Sequence, residues 1–268
     1  MSSKVILITG SSSGIGQVCA EYLSQRGHRV YGTSRKTPQK ETPYELINMD
    51  VNDDASVKRG ISYIMEKEGL LDVVINNAGF GIAGAVEDTS IEEMKFQFET
   101  NFFGVLRVCN EVLPLMRTQQ FGYIINIGSI AGLIGVPFQG AYSASKSALK
   151  GLTEVMRMEV KPFGIHTVLI EPGDFNTGFT ENRILTKSSQ SNSPYSKRFK
   201  SGLQSSEEDE LKGSDPKKIA ELLDYIINHP SPRPQYRVGP ILERFAVHLR
   251  KYIPSKLFEK IIMKNYNV

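Results

Sequence analysis

From residue 4 to residue 172, short β-branched apolar runs alternate with helix-like segments, and this order constrains the fold more than any other feature of the chain. "KVILIT" (4–9) ends at Gly10, "GIGQVCAEYLSQRG" (14–27) has helical composition and stops at Gly27, and "HRVYGTS" (28–34) returns to strand character. "LINMD" (46–50), "LDVVINN" (71–77), "YIINIGS" (123–129), "HTVLIEP" (166–172) and a final "YRVG" (236–239) are further strand candidates, with helical segments between most of them. Strands joined by helical crossovers run parallel, and a parallel sheet is covered on both faces. The order therefore predicts an α/β fold: a Rossmann-like, doubly wound parallel sheet of about seven strands. In such sheets the ligand crevice lies beyond the carboxyl ends of the strands, so the loops opening with Gly10, Asn77, Ser129 and Pro172 are expected to converge there.

The first run leads into "TGSSSGIG" (9–16), which opens a helix. Its G-x-x-x-G-x-G spacing differs from the commoner G-x-G-x-x-G fingerprint but meets the same requirements. Glycine lets backbone approach a pyrophosphate, and free N–H groups at the positive end of a helix favour an anion. Gly10, Ser12, Ser13, Gly14, Ile15 and Gly16 are thus candidate cofactor contacts; the other reading of such a loop is a purely steric use of glycine. NAD-binding folds place an acid about 20 residues further on, whereas a basic residue there suits the 2′-phosphate of NADP. Here Ser34 occupies that place, followed by Arg35 and Lys36, and NADP (as NADPH) is the cofactor expected. The alternative is a solvated basic pair.

In "GAYSASKSALKG" (140–151), Tyr142 and Lys146 stand four positions apart. On a helix they share one face. An adjacent cation favours the phenolate and is expected to lower the phenol below its ordinary pKa of about 10, which tunes a proton donor. A surface helix whose Tyr and Lys happen to share a face is the competing reading.

At 268 residues the chain is long enough for one large α/β domain, and residues 1–268 are read as a single domain. No apolar run approaches the length of a membrane span, the start lacks the features of a secretory signal, and a cytoplasmic protein is expected. Net charge is only +3, so no field points to nucleic acid. Four scattered histidines and two cysteines, Cys19 and Cys109, show no metal-ligand spacing, and no metal site is expected.

Together these residues resemble the short-chain dehydrogenase/reductase family, in its branch of shorter subunits, over about residues 4–178. The motifs are TGSSSGIG from Thr9, the Asp50-Val51 pair, NNAG from Asn76 (with Asn77 and Gly79), Asn101 in "TNFFG", Ser129 in "IGSIAG", Tyr142 with Lys146, and "PGDFNT" from Pro172. The resemblance implies a catalytic set of Asn101, Ser129, Tyr142 and Lys146. Tyr142 would protonate a carbonyl oxygen as hydride arrives, Lys146 would hold the nicotinamide ribose, Ser129 would bond the carbonyl, and Asn101 would link Lys146 to a proton path. It further implies that Asp50 and Val51 border the adenine, Asn77 lies beside the cofactor, Pro172 and Gly173 contact the cofactor, and Phe175 and Thr177 lie near the carboxamide. Dimers or tetramers are expected from the same resemblance.

Residues 174–213 are polar, Ser-rich and too long for an ordinary connection. A substrate lid and a disordered insertion are the two readings. "GFGIAGAVED" and Leu133, Ile134, Val136, Pro137 and Phe138 suggest an apolar pocket, with Gln139 as a polar group, suited to a lipophilic carbonyl such as a steroid, retinoid or long-chain keto compound. A carbonyl reductase resembling hydroxysteroid or retinol dehydrogenases follows; a catalytically silent NADP sensor is the rival, and it would have no use for Ser129, Tyr142 and Lys146. Residues 237–268 carry seven Lys or Arg against Glu243 and Glu259, with apolar residues at helical spacing on both sides of Pro254. This C-terminal helical extension either covers the pocket or a subunit interface, or makes peripheral contact with an anionic membrane.

Overall fold

The computed structural model describes residues 3–35, 41–191 and 193–268. Seven parallel strands form the central sheet: β1 (Val5–Ile8), β2 (Arg29–Ser34), β3 (Glu45–Asn48), β4 (Val73–Asn76), β6 (Gly122–Ile127), β7 (Ile165–Pro172) and β9 (Gln235–Val238), in the order β3-β2-β1-β4-β6-β7-β9. The reversal of strand order between β1 and β4 is the switch point of a doubly wound sheet. It places the ends of β1 and β4 beside one crevice.

Alternation along β1 explains the layers. Val5 and Leu7 face one core with α2 (Asp54–Glu68), α4 (Gly104–Gln119) and α5 (Gly140–Val160), while Ile6 and Ile8 face the other with α1 (Gly14–Gln25) and α7 (Lys217–Asn228). Local chemistry sets the helix ends. Asp53 caps α2 by accepting the N–H of Ser56, and Gly69 ends it at φ 73°. Ser90 and Glu93 close a capping box on α3 (Ile91–Phe98). Cys19 and Cys109 are buried thiols.

Residues 91–119 form two α-helices, α3 and α4. A π-helical turn, Glu99–Phe103, separates α3 from α4 and carries Asn101. Within 174–213 lie the short strand β8 (Ile184–Leu185), a 3₁₀ turn and the 16-residue α6 (Ser196–Leu211), so the described part of this segment is ordered structure. β8 pairs in parallel with β5 (Ile82–Ala83), a small second sheet that sequence alone did not suggest. The chain ends in α8 (Ile241–Leu249) and α9 (Ser255–Asn265), whose Val247 and Phe258 pack on Ile130 and Ile134.

Candidate active site

The glycines of the first loop have steric as well as functional reasons. Gly10 takes φ 65°, and a Cβ there would come within 2.8 Å of the Ala78 backbone; one on Gly16 would meet the Gly10 carbonyl at 2.3 Å. Thr9 Oγ1 accepts the N–H groups of Asn77 and Ala78, both at 3.0 Å, and Asn77 Nδ2 donates to the carbonyls of Thr9 and Gly10 at 3.0 and 2.9 Å. Asn77 therefore braces the loop with its side chain. Ser12 and Ser13 are exposed, Ser13 makes no capping bond, and the first turn of α1 holds no acid. The free N–H groups of that turn fit a phosphate anion. Thr177 approaches from the β7 loop, 3.8 Å from where a Gly14 Cβ would stand.

Ser34 closes β2, and Arg35 beside it is exposed; Lys36 lies outside the described residues. No acid occupies the end of this strand, which suits a 2′-phosphate. Asp50 turns its carboxylate to the N–H of Asn52 at 3.0 Å, and Val51 is buried against Gly104. Gly173 donates to the Val238 carbonyl at 2.8 Å. The Phe175 ring is buried in the core layer on the α1–α7 side, so its backbone, and not its ring, is what remains for a carboxamide.

Ser129 follows β6 and caps a 3₁₀ turn, its Oγ accepting from Ala131 N at 3.0 Å. It also hydrogen-bonds the Tyr142 hydroxyl. Lys146 lies one turn along α5 from Tyr142, with Nζ 5.8 Å from the ring centroid and donating to the Ile127 carbonyl at 2.8 Å. The expected lowering of the phenol does not occur here. Burial pushes Tyr142 up to about 12; the Ser129 bond pulls the other way, Glu210 and Asp174 push further, and Arg183 opposes them. Desolvation outweighs the cation because Lys146 is itself buried, which lowers it to about 8, and its ammonium is turned to Ile127.

Asn101 is fully buried. Its Nδ2 donates to the Phe80 carbonyl at 3.0 Å and to Ser145 Oγ at 3.2 Å, and its Oδ1 accepts Phe80 N–H at 3.1 Å. A Cβ on Gly79 would stand 3.1 Å from Asn101 Oδ1 and 3.7 Å from Lys146 Nζ, so both groups flank Gly79. The Asn101 side chain spends its bonds on the loop after β4 and on Ser145 of α5, not on Lys146.

Sequence reasoning missed a ring of charge on the substrate side of Tyr142. Arg183 pairs with Glu210, Thr180 Oγ1 donates to the other Glu210 oxygen, and Asp174 lies against Glu243 from α8. Burial first, then Glu243, Glu210 and Asp209, raise Asp174 to about 8. Tyr266 near the C-terminus faces the same carboxyl groups and is raised, mainly by burial. Neither periodicity nor spacing marks these residues, since three segments distant in sequence supply them. The expected apolar lining is partly spent on packing: Phe138 meets Phe199 of α6 edge-on at 5.6 Å, and Gln139 donates to Ser206 at 3.3 Å.

The sequence and the fold are shared with known proteins. A short chain dehydrogenase family model matches residues 4–188. The chain is 41% identical over 259 residues to the 3-ketodihydrosphingosine reductase of Bacteroides thetaiotaomicron, covering 97% of this chain and 96% of that protein. It is 37% identical over 205 residues to retinol dehydrogenase 8 of Homo sapiens, covering 71% of this chain and 65% of that one. The crystal structure of a short-chain dehydrogenase from Streptomyces avermitilis superposes with a TM-score of 0.83 at 30% identity, covering 96% of each chain. The family match takes in six of the seven strands of the sheet and the helix that carries Tyr142 and Lys146, and on that ground the chain belongs to the short chain dehydrogenase family, oxidoreductases that act on an alcohol or ketone with a nicotinamide cofactor.

Proposed function

We propose that the protein is an NADPH-dependent reductase of a lipophilic ketone, of the kind named for the 41%-identical 3-ketodihydrosphingosine reductase. The observation that carries this reading is the Tyr142 hydroxyl, bonded to Ser129 and held protonated by burial. A protonated phenol is the form that ketone reduction consumes. A nicotinamide held by these residues would supply the hydride to the carbonyl carbon. Tyr142 then gives its proton to the carbonyl oxygen, which becomes the hydroxyl of the product. Ser129 donates to the phenolate left behind, and the Lys146 ammonium offsets its charge. Asn101 positions the loop after β4 against this group through Phe80.

The phosphates would lie at Ser12, Ser13, Gly14 and Ile15, the 2′-phosphate at Ser34 and Arg35, and the adenine beside Asp50 and Val51. Residues 174–213 act as the substrate lid. A comparison of dissociation constants for NADPH and NADH tests the cofactor, and loss of NADPH absorbance with long-chain 3-ketones tests the reaction. Tighter binding of NADH, or no turnover with any such ketone, defeats the reading.

The same reading places the enzyme in the cytoplasm at a membrane surface. No helix among the described residues is long and apolar enough to cross a membrane. On the outer face of α8, α9 and the turn between them, Ile241, Leu242, Phe245, Tyr252 and Leu257 are exposed, Leu242 by 82% and Tyr252 by 83%. Glu243 turns inward to Asp174, which leaves Glu259 as the acid among Arg244, Arg250, Lys251, Lys256, Lys260 and Lys264. Apolar tips within a basic surface suit anionic headgroups, where a lipid ketone resides. Exposed Phe103 on the turn before α4 and Val155 and Met158 on α5 suit pairing of subunits into a homo-oligomer.

A further inference from the structure

Arg183 is buried, its side chain only 2% accessible, yet its hydrogen bonding is incomplete. Nη2 donates to Glu210 Oε1, while Nε and Nη1 are buried without any hydrogen-bond partner. Buried donors on a charged group are costly to leave unmade, and folded proteins seldom keep them without a use. The guanidinium lies over the Phe179 ring, 5.7 Å from Cζ to the centroid, and that ring is 5.6 Å from the ring of Tyr142. Its charge acts on the Tyr142 hydroxyl, as do those of Glu210 and Asp174. The free donors therefore lie beside the ring that packs on the proton donor, within electrostatic reach of its hydroxyl.

We propose that Arg183 is a specificity-determining residue whose Nε–H and Nη1–H receive a hydroxyl oxygen of the substrate beside the reacting carbonyl. The proposal rests on the ketone-reductase reading above. The surroundings narrow the class of head group further. Glu243 and Asp209 crowd the same space around the protonated Asp174, and Glu210 is already engaged by Arg183 and Thr180. A substrate carboxylate would meet repulsion there, whereas an amine next to the carbonyl would meet attraction. The head group that satisfies both halves of the site is a neutral hydroxyl with an adjacent amine, attached to a long apolar chain. A 2-amino-1-hydroxy-3-ketone has this pattern.

The test compares kcat/KM for NADPH oxidation with three probes of equal chain length: a 2-amino-1-hydroxy-3-ketone, the plain 3-ketone, and a 3-oxo acid. A site built to bond a substrate hydroxyl rejects the analogue that lacks it. Wild-type protein is expected to prefer the amino-hydroxy ketone over both others by about tenfold or more. In R183K, which keeps the charge but loses the fork, that preference is expected to fall by about tenfold, chiefly through KM. The double variant R183M/E210Q, which removes both charges and so leaves neither buried alone, is expected to lose it as well. NADPH binding and Tm, measured on each variant, identify a mere folding defect, and R183K supplies the test if the double variant is unstable. An unchanged preference in R183K overturns the proposal and leaves the reductase reading standing, as does a wild-type preference for the oxo acid. Failure of wild-type protein to reduce any of the three overturns both.

Discussion

Glu243 of α8 accepts the backbone N–H of Asp174 at 2.9 Å and also bonds its side chain, so the C-terminal helices are tied to the loop after β7 through two neighbouring acids. The proton resides on Asp174, because the bond to Glu243 raises Asp174 while it lowers Glu243. A carboxyl group raised on folding contributes stability that is complete below its ordinary value and is lost as pH rises through the raised value. For Asp174 that window runs from 3.8 to about 8. Around the pair stand Glu210, Asp209, Arg183 and Tyr266, so ionisation adds charge where negative charge is already crowded. The Tm is expected to fall between about pH 4 and about pH 8, and Asp174→Asn is expected to flatten that fall. Identical pH profiles for the two proteins would show that the pair carries no proton.

Tyr142→Phe removes the group that protonates the carbonyl oxygen but keeps the ring against Phe179. Turnover is expected to drop by about a hundredfold to ten-thousandfold, with the NADPH dissociation constant little changed. Stopped-flow measurement of both quantities checks this. Turnover near the wild-type level would assign the proton to another donor.

Arg35→Ala should weaken NADPH binding by about tenfold or more and leave NADH binding nearly unaffected, since a charge-assisted bond to a 2′-phosphate exists only for the former. Placing an acid at the end of β2 with Ser34→Asp should reverse the preference. Fluorescence titration with each nucleotide measures the ratio. Equal weakening of both would place Arg35 on a shared part of the cofactor.

Leu242→Asp with Phe245→Asp is expected to reduce co-sedimentation with anionic phosphatidylserine vesicles by about tenfold, and salt is expected to do the same to the wild-type protein. Both residues are exposed and distant from the inward face of α8 that Val247 occupies, so the fold should survive. If the wild-type chain fails to sediment with such vesicles, the outer face serves another contact.

Much of this was readable in the residues. All seven strands of the sheet fall on runs read from the sequence as strands; β1, β4, β6 and nearly all of β7 are buried on both faces and need no polar alternation, while the edge strands β3 and β9 are only half-buried. Tyr142 and Lys146 could be placed on one face because helical spacing is a local property. The π turn at Asn101 and the β5–β8 pair were not readable: one is a single extra residue in a helical register, and the other joins strands of two residues each.

What the amino-acid order set by itself was therefore local, the alternation of elements, the uncapped glycine-rich start of α1 and the four-residue gap between phenol and ammonium. The pKa of that phenol and the character of the substrate side were decided only by the fold. Asp174 and Glu243 are 69 residues apart in the chain and Arg183 and Glu210 are 27 apart, and Asp174, Arg183 and Glu210 act on Tyr142 only once packed around it. Electrostatic energy depends on distance through space and on the exclusion of water, and neither is a property of sequence neighbours.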